Sequence, residues 1–151
     1  MWLKSKTKTY TKIMRIQMQI PVMLAVAAVV TVAFTTNLSA ADVDLAKIPP
    51  ASDKTGLTYE KDIKPIFEKS CFKCHGPEKQ KGKMRADSLE AVLKGGENGK
   101  SIEPGKPEKS PVLASISRLN PDEAMPPEDK GEPLTKEQVG LIRAWITQGA
   151  K

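Results

Sequence analysis

Apolar positions recur at helical spacing in four places along the chain, and little of the remainder alternates as a strand would. Over Asp62 to Cys71, Ile63, Ile66, Phe67 and Ser70 share one face. This predicts a helix with Pro65 in its first turn, where a missing N–H is harmless. Leu89, Val92 and Leu93 predict a short helix over Ser88 to Lys94, stopped by Gly95-Gly96. Ser110-Pro111 predicts a third start, with Ser110 as N-cap and Pro111 at the first position, continuing through Val112, Leu113 and Ile116 toward Arg118. The fourth pattern is the clearest: Thr135 and Gln138 have the spacing of a capping box, Val139, Ile142, Trp145 and Ile146 form one face, and Gly149 ends it. Gly95 to Pro107 and Pro121 to Pro133 are Pro/Gly-rich loops. The pattern predicts an all-α domain.

The N-terminal pattern differs. Lys4, Lys6, Lys8, Lys12 and Arg15 precede an apolar or small-residue run from Val22 to Phe34, followed by Leu38-Ser39-Ala40-Ala41. This is the layout of a signal peptide over 1–41, with cleavage expected after Ala40 or Ala41. The run falls short of the roughly twenty residues of a settled membrane span. The alternative, an uncleaved anchor, needs Ile16 to Leu38 to cross the bilayer. Met14-Arg15 offers a second start point. Residues 42–56, with Pro49-Pro50 and Ser52-Asp53, show no amphipathic period and read as a flexible linker; the folded domain is expected over 57–151.

After the linker the only aromatic side chains besides Phe72 are Tyr59, Phe67 and Trp145. So small a core calls for apolar mass from elsewhere. The candidate source is at Cys71-Phe72-Lys73-Cys74-His75, which holds both cysteines and the single histidine of the chain. Two thiols three apart followed by an imidazole are what covalent haem attachment requires, with thioethers from Cys71 and Cys74 and His75 as the proximal iron ligand. A thioredoxin-like redox pair belongs with alternating strands and helices, for which there is little pattern here. A structural zinc site wants four ligands, and only three exist.

For the second axial position the candidates are the two methionines left after the signal segment, Met84 and Met125. Met125 is preferred: it lies 50 residues beyond His75, far enough to reach the opposite haem face, and Pro126-Pro127 stiffen the chain behind it. Met84 lies nine residues past His75 amid Lys and Arg.

Export also changes the charge picture. Five of the 24 basic residues lie in 1–41, leaving 19 against 18 acids, so the mature chain is near +1 rather than +6. A nucleic-acid partner is excluded on that balance. The charge is unevenly spread: Lys61 to Arg85 carries eight basic residues against three acids, and Pro121 to Glu137 six acids against Lys130 and Lys136. The basic stretch is a docking candidate for an acidic redox partner.

The ordered set Asp62 to Phe67, Cys71 to Pro77, Lys81 to Ser88, Gly95-Gly96, Pro104 to Ser110, Met125-Pro126-Pro127 and the Leu134 to Ala150 helix resembles the planctomycete-type cytochrome c domain, over Leu57 to the C-terminus. The resemblance implies a class I cytochrome fold wrapped around one covalent haem c with its iron, the helix before Cys71 packing across the C-terminal helix. Phe67 and Trp145 are the large groups available for that crossing. Met84 falls where that family carries an aliphatic residue. The family's module often fronts larger exported proteins, and a chain ending with it favours a free-standing carrier. The expected function is periplasmic one-electron transfer by a monomer that is not an enzyme, with redox proteins as partners and membrane contact only through an uncleaved leader. The alternative is a haem peroxidase or sensor with an open distal iron position.

Overall fold

The computed structural model describes residues 42–151; the predicted signal segment 1–41 lies outside the described residues. Among the described residues the regular structure is helical, with two isolated antiparallel bridges, His75 to Gln80 and Gly96 to Gly99. No helix among them is long and apolar enough to cross a membrane.

A π-helical turn, Tyr59–Ile63, feeds α1, Lys64–Ser70, and Pro65 sits in that helix's first turn as the sequence requires. α2, Phe72–His75, follows after a bend at Cys71, and α3, Leu89–Lys94, begins with the Ser88 hydroxyl accepting from the Ala91 N–H at 3.2 Å. α4 is Val112–Ile116, and α5 is Lys136–Thr147. The capping box on α5 is formed in both directions: the Thr135 N–H donates to Gln138 Oε1 at 2.9 Å and the Gln138 N–H to Thr135 Oγ1 at 3.2 Å. The face read from the sequence, Val139, Ile142, Trp145 and Ile146, is buried. It meets Tyr59, Ile63, Phe67, Val92, Ile102, Leu113 and Ile116 in one core.

Three parts of the fold depart from the sequence reading. Ser110 is not a helix cap. It is fully buried, accepts from the Glu103 N–H at 2.9 Å and donates to the Lys106 carbonyl at 2.9 Å. A buried hydroxyl with both capacities used holds the 101–110 loop more firmly than a cap on so short a helix would.

The expected meeting of Phe67 and Trp145 runs through a third ring. Tyr59 stands 6.2 Å from Phe67, edge-on, and 6.0 Å from Trp145, tilted. The π-helical turn, and not the helix directly before Cys71, therefore makes the crossing with α5. Burial forces the Tyr59 hydroxyl to find a partner, and it donates to the Ala86 carbonyl.

Finally, 42–56, expected as a flexible linker, is a strap laid over α5. Ile48 is buried, the Val43 N–H donates to the Glu108 carbonyl at 2.6 Å, and the Ser52 N–H to the Gly140 carbonyl at 3.0 Å. Arg143 Nη1 donates to the carbonyls of Leu45, Ile48 and Pro49 at 3.0–3.2 Å. A Cβ on Gly140 would stand 2.6 Å from the Pro50 oxygen, so the strap's close approach requires glycine there. An irregular segment carries no periodicity to read, yet three of its carbonyls converge on one guanidinium nitrogen.

Candidate functional site

The site starts from the bend between α1 and α2. Cys71 has φ −119° and ψ −35°; its N–H donates to the Phe67 carbonyl at 2.7 Å, and its own carbonyl accepts from the N–H groups of Cys74 (3.0 Å) and His75 (2.8 Å). One helical turn thus carries both thiols and the imidazole. Gly76 follows so close to the preceding turn that a Cβ would lie 2.5 Å from the Phe72 oxygen. The His75 carbonyl accepts from the Ala86 N–H at 2.6 Å. Since Ala86 also accepts the Tyr59 hydroxyl, the aromatic core and the histidine are tied through one residue.

Two adjoining cavities, of about 380 and 340 Å³, share Cys71, His75, Lys81, Ile116 and Met125 in their walls. Each lies within the roughly 300 to 1,000 Å³ range of cofactor pockets. The larger has Phe67, Ala86 and Val112 as apolar wall; the smaller adds Cys74, Pro126, Pro127 and Leu134. All four residues predicted from the sequence, Cys71, Cys74, His75 and Met125, line the smaller cavity. Exposed Lys73, Lys79, Lys81 and Lys130 border it.

Met125 is 36 % exposed, so packing alone does not hold it. Its N–H donates to the Ser115 carbonyl at 3.0 Å. Met84, expected among exposed basic neighbours, instead lines the larger cavity, where the Ser101 hydroxyl lies 3.8 Å from its sulfur. The 81–86 loop folds back over α2 and carries it there, which sequence distance from His75 does not reveal. No sequence pattern marks Ser115, Arg118 and Lys130 as site residues, because their approach depends on how α4 and the 121–133 loop meet.

Burial pushes the Cys71 thiol up to about 11. It is therefore a neutral thiol at neutral pH. The His75 Nδ1 atom is buried and makes no hydrogen bond to a protein group. Paired thiols, that imidazole, a thioether and apolar walls fit a haem c, which Cys71, Cys74, His75 and a methionine sulfur would hold. The same set is poor for a structural zinc ion, since among the described residues no group of three or more His, Cys, Asp or Glu is placed to hold a metal ion.

The family model described as Planctomycete cytochrome C matches residues 71–129, from the first thiol to just past Met125. No curated protein and no solved structure matches the chain.

Proposed function

We propose, from the match of 71–129 to the planctomycete cytochrome c family, that this chain is an exported one-electron carrier with a single haem c, attached through Cys71 and Cys74 and ligated by His75 and Met125. The observation that carries the reading is that all four residues line one cavity. The bound group supplies one-electron chemistry at iron, and a histidine and thioether pair favours its reduced state relative to two histidines. The chain's part is to hold the group rigidly. The Cys71 to His75 turn fixes one side, and the Ser115 carbonyl and the prolines after Met125 fix the other. If His75 and Met125 both held the iron, no coordination position would be left for a substrate, which supports a carrier rather than an enzyme. The signal-like pattern of 1–41 supports a periplasmic location, and the lysines bordering the cavity suit an acidic redox protein as partner.

Met84 is the alternative sulfur, because it lines the larger cavity with His75. Production with a cytochrome maturation system, followed by mass and optical spectra, tests the whole assignment: one covalent haem per chain is expected. Met125→Ala should then lower the potential and admit carbon monoxide, while Met84→Leu should leave both unchanged. The reverse pattern would move the axial role to Met84, and a parent protein open to carbon monoxide would favour the peroxidase or sensor alternative.

A further inference from the structure

We propose that Arg118 is a positioning residue that locks Met125 toward the haem site; this rests on Met125 as the distal ligand. Met125 is bracketed by two hydrogen bonds that tie it to the last turn of α4 and to the residue just after its C-cap. On its N-terminal side its own N–H donates to the Ser115 carbonyl at 3.0 Å. On the other side Arg118 Nη1 donates to the Pro126 carbonyl at 2.8 Å. Ala124 and Pro126 on either side are buried, whereas Met125 itself is 36 % exposed. A weak thioether donor on an exposed loop must be held by its backbone, and the two hydrogen bonds are placed to do that.

Arg118 is shaped for this role by the turn it occupies. α4 ends with the Ser117 N–H on the Leu113 carbonyl and the Arg118 N–H on the Ser115 carbonyl, at 3.0 and 3.1 Å. Arg118 itself takes φ 57°, a left-handed value that few non-glycine residues adopt, and this reverses the chain. The half-buried side chain then reaches back to the loop that the reversal produces. Among the described residues Arg118 makes no ion pair with a carboxylate, so its charge is directed at a main-chain oxygen. A charged donor on a carbonyl is stronger than a neutral one.

The test uses the haem-loaded full chain and three variants, Arg118→Gln, Arg118→Lys and Met125→Ala. The readouts are the sulfur-to-iron charge-transfer band of the ferric form on warming, the carbon monoxide binding of the ferrous form, and hydrogen exchange at the Met125 amide. Arg118→Gln should raise the fraction open to carbon monoxide about tenfold, the effect of losing one charge-assisted hydrogen bond. It should also bleach the band well below the unfolding temperature and speed exchange at Met125, with Arg118→Lys partway back. Met125→Ala should abolish the band outright. If Met125→Ala abolishes the band but both Arg118 variants match the parent in all three readouts, the positioning role is overturned and the ligand assignment stands. If the band and carbon monoxide binding survive Met125→Ala, the ligand assignment fails instead. An Arg118→Gln protein that only unfolds earlier, with its band intact until then, marks Arg118 as structural and also overturns the proposal.

Discussion

Replacing Gly140 by alanine separates the strap seen in the structure from the flexible linker that the sequence suggests. In a helix interior with a free surface, Gly→Ala stabilises by about 1 kcal/mol. Here the added Cβ meets the Pro50 oxygen at 2.6 Å, with the Ser52 nitrogen at 3.7 Å. Carbon and carbonyl oxygen settle at about 3.3 to 3.6 Å, so the strap must retreat by roughly 0.7 Å or more. Retreat stretches the 3.0 Å bond from the Ser52 N–H to the Gly140 carbonyl and draws the Leu45, Ile48 and Pro49 carbonyls away from Arg143. Overpacking of this kind costs about 1 to 3 kcal/mol, and the stretched hydrogen bonds, weakened but not lost, together add about 1 kcal/mol. Set against the helix gain, the net effect is a loss of about 1 to 3 kcal/mol, or roughly 5 to 15 °C in Tm for a domain of this size. Thermal unfolding of the haem-loaded protein measures the loss, and hydrogen exchange at Val43 and Ser52 reports whether the strap has lifted. In an Arg143→Met background the strap is already loosened, so the penalty of Gly140→Ala should shrink, a coupling that a double-mutant cycle reads directly. A Gly140→Ala protein that is more stable than its parent, with unchanged exchange along 43–52, would refute the packing described here.

Two further outcomes are expected. In the haem-free chain, burial pushes the Cys71 thiol from 9.0 up to about 11, so its contribution to stability is fully present below about pH 9 and is lost as pH rises toward 11; alkylation of Cys71 should lag an unfolded control over the same window, and an ordinary thiol profile would show that the site is open. Reversing the exposed lysines that border the smaller cavity, as Lys73→Glu, Lys79→Glu and Lys81→Glu together, should slow reduction by an acidic redox protein and flatten its salt dependence while leaving the potential nearly unchanged, and an unaltered salt slope in stopped-flow measurements would remove those lysines from the docking surface.

Much of α1, α3 and α5, and the Cys71 to His75 motif, were legible in the sequence because each rests on local chemistry. A capping box and a 3.6-residue apolar period specify α5 within a few turns of chain, and Pro65 marks the first turn of α1 by what it cannot donate. The spacing of Cys71, Cys74 and His75 is likewise a one-turn property, so it needed no tertiary information. What the sequence left open are contacts between segments without periodicity. Ser110 looks like a cap until the 101–110 loop folds around it, and Tyr59 looks peripheral until it stands between Phe67 and Trp145. The strap over Gly140 and Arg143, and Arg118 behind Met125, depend on backbone carbonyls, which every residue carries and no sequence pattern marks. Only the tertiary structure decides which of those carbonyls a given arginine or buried hydroxyl will reach.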